Sequence, residues 1–148
     1  MDKSYEINKY TIALIPLSAS ETKVIEEEKV YIIEKNSTDI INDSCKYFGS
    51  SLAGRKEGTK NLLGVSYKAP IIIEESRSII FFPTSSPRFE NCTWISLNHI
   101  NDYLNKEGNG LVKFKNGTTI ELTTSYGSLE NQVLRATRLE SVLRRRKI

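Results

Sequence analysis

The stretch GLVKFKNGTTIELTTS, residues 110–125, carries the clearest structural signal in the chain. Apolar residues alternate with polar ones on both sides of Asn116-Gly117, at Val112, Phe114, Ile120 and Leu122. Such alternation indicates half-buried strands, and an Asn-Gly pair favours a two-residue hairpin turn. The segment therefore predicts an antiparallel β-hairpin, and we build the rest of the fold outward from it.

Most of the chain before this hairpin also has the composition of short strands. We predict strands within YEINKYTIALIPL, TKVIEEEKVYIIEK, SYKAPIIIEES, RSIIFFPT and CTWISL. Ser37 is predicted to cap a helix that ends near Gly49, and NHINDYLNKEGN suggests another short helix. No linker is long enough to divide the chain into domains, and there is no convincing internal repeat. The predicted fold is therefore α+β: one mostly antiparallel, β-rich domain over residues 1–148, with short helices.

The chain closes with a predicted basic C-terminal helix over residues 128–146, capped by Ser128. One face is apolar, through Leu129, Val133, Ala136, Leu139 and Leu143, and the opposite face carries Arg135, Arg138, Arg145 and Arg146. The net charge is −3 over residues 1–48, +1 over 49–134 and +5 over 135–148. This gradient indicates that the C-terminal end can meet an anionic partner, although a basic helix end can also simply be solvated.

Composition narrows the class of protein. The 148 residues are 39% hydrophobic and 26% charged, which is typical of a soluble globular domain. No run approaches the roughly 20 apolar residues needed to cross a bilayer, and the first residues lack the pattern of a secretory signal. We therefore expect a cytoplasmic protein with no membrane partner. Two separated cysteines and one histidine predict neither a metal site nor a cofactor.

The segment YFGSSLAGRKEGTKNLLG, residues 47–64, combines four glycines with Arg55, Lys56 and Lys60. Its first half fits a phosphate-binding loop, but Arg55 stands where that motif needs its lysine and Lys56 where it needs a hydroxyl. Nucleotide hydrolysis is thus disfavoured. Two interpretations stay open on spacing alone: a glycine loop whose basic side chains contact an anion, or a solvated basic turn.

The rest of the chain offers no convincing set of catalytic residues either. His99 lies in ISLNHIND, which has the character of a helix start and not of a nucleophile turn. Glu74 and Glu75 would point to opposite faces of a strand, so they cannot share a substrate. We therefore predict no catalytic residue and no enzyme activity.

Several long blocks resemble the competence transcription factor family, ComK. They are SCKYFGSSLAGRKEGT, PIIIEESRSIIFFPTSSPR, CTWISLNHI, FKNGTTIEL and SYGSLENQVLRA, in that order. The resemblance spans about Tyr5 to Arg138. It implies a bacterial activator of DNA-uptake genes that binds paired A/T-rich boxes as dimers or dimers of dimers, chiefly through the minor groove. It also implies localisation at the nucleoid and contact with a proteolytic adaptor and with RNA polymerase.

Charge within the matching blocks selects the predicted DNA contacts. They are Arg55, Lys56 and Lys60 in the glycine segment, Arg88 in SSPRFEN, and Arg135 on the last helix. Arg55 and Arg88 are the predicted groove-inserting residues, and the lysines are predicted to contact phosphates. For Arg135, pairing with Asn131 or Glu130 on the helix surface is an equally open alternative.

Two further expectations concern the whole protein. Members of the family usually continue beyond the last helix, whereas this sequence stops at RRRKI, so we expect the family's C-terminal tail to be missing. The alternative function is a protein-interaction module whose basic helix docks on an acidic partner.

Overall fold

The computed structural model describes residues 2–88 and 91–146. Within these residues the strands are β1 (Thr11–Ser18), β2 (Glu21–Glu26), β3 (Val30–Ile33), β4 (Ile71–Glu74), β5 (Ile79–Pro83), β6 (Trp94–Ser96), β7 (Ile100–Lys106), β8 (Asn109–Phe114) and β9 (Thr119–Ser125). The helices are α1 (Ser37–Tyr47), α2 (Leu52–Leu63) and α3 (Tyr126–Arg145), and Leu97–His99 forms a 3-10 turn. No helix in these ranges is both long enough and apolar enough to cross a membrane.

The strands form two antiparallel sheets. The larger has the order β3-β2-β1-β6-β5-β4, and the smaller has the order β7-β8-β9. The predicted α+β class, its antiparallel sheets and its C-terminal helix are confirmed. Consecutive residues of a strand point to opposite faces of its sheet, and consecutive residues of β4 and β5 are apolar. Both faces of the larger sheet must therefore be covered by other elements.

Each face of the larger sheet has its own apolar core. On one face, Ile71, Phe81 and Trp94 pack with Ile40 and Ile41 of α1. On the other face, residues such as Ile80 and Phe82 pack with α3 and with Val112 and Ile120 of the smaller sheet. The apolar stripe predicted for the last helix is buried. The smaller sheet and α3 therefore form one layer, and α1 forms the other.

Helix α2 covers the outer edge of the larger sheet, where β4 is the last strand. Leu52 at its start belongs to the core beneath α1, and Leu63 at its end belongs to the core beneath α3. An uncovered edge strand offers unpaired backbone groups to other chains, so a helix along β4 protects this edge.

Three local predictions are wrong. NHINDYLNKEGN is not a helix but the 3-10 turn followed by β7 and its turn into β8. Antiparallel pairing with β8 satisfies its backbone and prevails over the helical spacing of its apolar residues, of which Ile100 and Tyr103 are half-buried and Leu104 is exposed. The caps are Asn36 and Ser125, whose side chains accept from Thr38 and Ser128, in place of the predicted Ser37 and Ser128. The Asn116-Gly117 hairpin exists, but Phe114 N bonds Thr118 O across a three-residue loop with Gly117 at φ +94°.

Candidate nucleic-acid interface

The glycine-rich segment is not a loop, and this corrects the sequence-based interpretation. Ser51 caps α2 by accepting a hydrogen bond from Gly54 N at 3.0 Å, and Gly64 ends it at φ +73°. Thr59 Oγ1 donates to Pro70 O at 2.7 Å, which fixes the helix against the start of β4. These contacts outweigh the roughly 1 kcal/mol that each internal glycine costs a helix. Arg55, Lys56 and Lys60 therefore project from a rigid helix.

Arg55 lies beside the turn of the β4–β5 hairpin, at the end opposite to the start of β4. Its guanidinium is 3.9 Å from Glu75, its side chain is 20% exposed, and its Nε is buried without a hydrogen-bond partner among the described residues. It lines a 730 Å³ cleft with Phe48, Glu74 and Glu75. We name this region, defined by Arg55, Glu74, Glu75 and Arg77, the mixed corner, because both signs of charge meet there.

Neighbouring groups in the mixed corner favour the ionised form of Glu74. Burial raises the pKa of Glu74, but hydrogen bonds from Ser76 and Arg77 outweigh it and leave the pKa below its usual value. Burial raises the pKa of the Cys45 thiol to about 11, and the nearby Arg55 charge opposes that rise. A stable carboxylate beside Arg55 repels a polyanion.

Lys56 and Lys60 lie on a different flank of α2. Successive helical residues are about 100° apart, so Lys56 and Lys60 share one side while Arg55 occupies another. Lys60 is exposed and follows Thr59, which is bonded to the residue just before β4. The backbone of Lys60 therefore lies at the end of the hairpin opposite to the mixed corner, and Lys56 precedes it by one helical turn.

Gln132 of α3 joins the structural elements at that opposite end. It is 1% exposed, and its Nε2 donates to Lys68 O at 2.9 Å and to Pro83 O at 2.7 Å. Lys68 precedes β4 and Pro83 ends β5, so one buried amide fixes to α3 both the segment that enters the hairpin and the segment that leaves it. Its Oε1 accepts from Arg135 at 3.3 Å, and Arg135 also donates to Tyr67 O at 3.1 Å. Arg135 is thus held by Gln132 and Tyr67, not by the predicted Asn131 or Glu130.

The turn before β4 presents two exposed groups beside Arg135. Tyr67 is 61% exposed, and the Lys68 ammonium lies 6.0 Å from the centre of its ring. Lys68 has φ +51°, an uncommon conformation for a residue with a side chain. The Gln132 and Arg135 hydrogen bonds to this turn hold it in that conformation.

Arg88 belongs to a loop that starts at the same end of the sheet. Thr84 N bonds Thr93 O at 2.9 Å and closes the base of this loop. Arg88 is exposed, and its backbone N and its Nε both lie 3.4 Å from Ser86 Oγ. The predicted SSPRFEN loop is present up to Arg88; its Phe89 and Glu90 lie outside the described residues.

We name this surface the basic corner and define it by Lys60, Tyr67, Lys68, Arg88 and Arg135. None of its four cations forms an ion pair with a carboxylate in residues 2–88 or 91–146. The structure therefore brings Lys60, Arg88 and Arg135 to one end of the β4–β5 hairpin and leaves Arg55 at the other.

A comparison with known families then places the chain. The sequence model of the ComK protein family matches residues 2–147. The chain belongs to the ComK family. It is 41% identical over 137 residues to the competence transcription factor of Bacillus subtilis (strain 168), which covers 90% of this chain and 71% of that protein. No solved structure matches the chain.

In this ComK-family chain the basic surface continues along α3. Arg138 and Arg145 are exposed, and Arg144 pairs with Glu140 at 3.2 Å one helical turn away. The arginines that the sequence predicted for this basic helix thus lie on the surface of α3, with Arg146 at its C-cap.

Possible catalytic groups of the ComK-family chain have structural partners. His99 Nδ1 hydrogen-bonds Ser96 Oγ at 2.9 Å, and burial lowers the pKa of the imidazole although Glu27 is 3.9 Å away. Burial also raises the pKa of the Cys92 thiol, which contacts Ser85 O. Among the described residues no three metal-ligating side chains gather.

Sequence reasoning missed Gln132, Tyr67 and Lys68 of the ComK-family surface. Gln132 could have been found, because it is a polar residue three positions after Leu129 and four before Ala136, within the apolar stripe of α3. A buried polar side chain needs partners, so it marks a place where α3 meets backbone. Tyr67 and Lys68 carry no comparable signal in the sequence.

Proposed function

We propose that this protein is a transcriptional activator of competence genes that binds A/T-rich duplex DNA with its basic corner. Membership of the ComK family and the name of the Bacillus subtilis relative support a competence transcription factor. Recognition of paired A/T boxes through the minor groove is part of the proposal.

The observation that carries the proposal is the position of Lys60, Lys68, Arg88 and Arg135 at one end of the β4–β5 hairpin, with no carboxylate ion pair to any of them among the residues that the structure describes. Lysine and arginine that neutralise phosphates release condensed counterions, which gives affinity to any duplex. Arginine that enters a narrow minor groove adds preference for A/T-rich sequence, because its negative potential is strongest there. We assign groove entry to Arg88, which is exposed on a loop, and to Arg135, whose orientation is fixed by Gln132 and Tyr67.

Lys56 and Lys60 are assigned to phosphate contacts along one flank of α2. Arg55 is not part of the proposed surface. It lies beside Glu75 and is mostly covered, so its predicted role in groove insertion has no support from its surroundings. That role stays a prediction, and substitution of Arg55 tests it.

Titration of a fluorescent A/T-box duplex at several salt concentrations tests the proposal, with a G/C duplex of equal length as control. We expect tighter binding to the A/T duplex and a steep fall of log K with log salt. Equal binding to both duplexes would show that the protein binds DNA through its charge alone, without sequence preference. Absence of binding would favour the alternative, docking of the basic helix on an acidic protein. Sedimentation with and without DNA tests whether dimers or paired dimers form on the boxes.

A further inference from the structure

Tyr67 is an exposed aromatic residue whose side chain the fold does not use. It is 61% exposed, and within residues 2–88 and 91–146 its ring pairs with no other ring and its hydroxyl forms no hydrogen bond. Other tyrosines have such partners: the Tyr5 hydroxyl donates to Glu26, and Tyr103 stacks on Tyr126. A single exposed aromatic residue is ordinary on a protein surface, and two features distinguish this one.

The first feature is a fixed backbone beneath a free side chain. The Tyr67 carbonyl accepts from Arg135 at 3.1 Å, and the next carbonyl, that of Lys68, accepts from the buried Gln132 at 2.9 Å. A group that is already held in one place loses less conformational entropy when it binds a partner. Tyr67 is therefore a ring presented to solvent from a rigid turn.

The second feature is the charge around the ring. The Lys68 ammonium lies 6.0 Å from the ring centre. Gln132 donates to Pro83 O as well as to Lys68 O, so the loop that carries Arg88 starts beside this turn. The charge of Lys68 also opposes the rise in the pKa of Cys92, near the other end of that loop. Lys68 is therefore close both to the ring and to the base of the Arg88 loop.

Acidic residues on the two neighbouring helices leave this charge in place. Glu130 and Glu140 are each five residues from Arg135, which places them about 140° away from it around the axis of α3. Glu57 of α2 is one turn before Lys60, and no ion pair joins the two in the part of the chain that the structure describes. Neither helix therefore neutralises the cations of the basic corner.

These features select the occupant of the surface. A nucleic-acid strand repeats a flat base and a phosphate, so a base can stack on the ring while a phosphate meets a cation. Inside a duplex both faces of a base are covered by its neighbours in the stack, whereas a single strand leaves them accessible. An acidic peptide matches the cations but offers no flat group to the ring at regular spacing.

We propose that the basic corner also binds single-stranded DNA, with an unpaired base stacked on Tyr67 and a neighbouring phosphate on Lys68. Arg135 acts here as a positioning residue, through its bond to the Tyr67 carbonyl. Such binding goes beyond recognition of duplex boxes, because it needs neither a minor groove nor a pair of boxes. It therefore holds or fails independently of the proposed function.

Titration of the full chain with a labelled thymidine strand of about 15 nucleotides tests the stacking. An abasic strand of equal length keeps the phosphates and removes the bases. We expect tighter binding of the thymidine strand, with a steep salt dependence for both strands. Tyr67→Ala is expected to weaken binding of the thymidine strand by about 5- to 150-fold and to leave the abasic strand unaffected. Tyr67→Phe keeps the ring and should retain the affinity.

Tyr10→Ala is the matched control. Tyr10 is 49% exposed and has the Lys9 ammonium 5.2 Å from its ring centre, but it borders a cleft lined by Glu27 and Glu28. It is expected to behave as the unchanged protein. Tyr67→Trp gives a direct signal, because emission of the exposed indole should be quenched by the thymidine strand and not by the abasic one. The native Trp94 is fully buried and adds only a constant background.

The outcomes separate this inference from the proposed function. Duplex binding without binding of the thymidine strand overturns the inference and leaves the proposed function intact. Equal binding of the two strands, or equal losses with Tyr67→Ala and Tyr67→Phe, overturns the stacking role of the ring. Tyr67-dependent binding of the thymidine strand without preference for the A/T duplex supports the inference while the proposed function fails. Tyr67-dependent binding of polyglutamate with no binding of the thymidine strand overturns it in favour of an acidic protein partner.

Discussion

The two ends of the β4–β5 hairpin carry similar cations but differ in what surrounds them. At the mixed corner, Arg55 lies 3.9 Å from Glu75 and is mostly covered. At the basic corner, Arg135 is bonded to the neutral oxygens of Gln132 and Tyr67, so its charge is oriented without being neutralised. The difference teaches that a basic residue becomes a candidate for anion binding through its neighbours and not through its own charge.

Removal of Gln132 is the strongest way to disturb the basic corner. Gln132→Leu leaves Lys68 O and Pro83 O without this donor, so we expect the free energy of unfolding to fall by about 2–4 kcal/mol. Urea unfolding measures this, and Asn131→Leu on the exposed neighbouring position is the control, with a change within about 0.5 kcal/mol.

A double-mutant cycle tests whether Gln132 contributes to DNA binding by orienting Arg135 or only by stabilising the fold. DNA affinity is measured below the melting temperature for Gln132→Leu, Arg135→Ala and the double variant. If Gln132 acts through Arg135, the double variant loses no more affinity than Arg135→Ala. Fully additive losses would show that Gln132 has no part in orienting Arg135.

Arg135→Ala is expected to weaken A/T-duplex binding by about 1–3 kcal/mol and to reduce the preference over the G/C duplex. Arg144→Ala is the matched control, because Arg144 is on the same helix but pairs with Glu140. Equal losses from both variants would mean that α3 contributes only diffuse charge, and the comparison between corners would then fail.

Lys60→Gln and Lys68→Gln are each expected to lower the magnitude of the salt slope by about 1, with a smaller loss of affinity that is similar for all duplexes. Lys113→Gln, an exposed position on β8, should leave the slope unchanged. A change in sequence preference with either corner variant would contradict assignment of the lysines to phosphates.

Arg55→Ala tests the mixed corner directly. We expect DNA affinity to change by less than about 0.5 kcal/mol, and stability to fall by at most about 1 kcal/mol because its pair with Glu75 is only partly buried. The sequence-based expectation was a groove contact. A loss of about 1–3 kcal/mol in binding with an unchanged melting temperature would restore it.

The smallest expected effect is a pH dependence at the same end of the larger sheet as the mixed corner. Burial holds the pKa of His99 below the ordinary 6.5, so on acidification the unfolded chain binds a proton before the folded one. Stability should therefore fall as the pH drops below about 6.5, until the folded-state pKa is passed. Urea unfolding of the unchanged protein and of His99→Gln from pH 7.5 to 5 isolates this contribution, and identical pH profiles would exclude it.

Much of the fold could be predicted because the local sequence pattern favours the same element that the tertiary packing requires. The strands of the IIIEESRSIIFF hairpin, the helix beginning beside Ser37 and the apolar stripe of α3 are all as expected. The failures have two causes. In NHINDYLNKEGN the apolar residues have a helical spacing, and only the pairing with β8 makes the segment a strand. In the glycine segment internal glycines conceal a helix that is stabilised by its caps and by the bond from Thr59 to Pro70.

The sequence by itself determined the antiparallel β-rich class, the basic last helix and the family, because these depend on period, composition and ordered motifs. It also indicated three of the corner's cations, Lys60, Arg88 and Arg135. Only the tertiary structure decided which cations meet. Charge is a property of a residue, but its availability depends on which carboxylates and carbonyls the folded chain places within a few ångströms, and those come from segments distant in sequence: Glu75 for Arg55, and Tyr67 for Arg135.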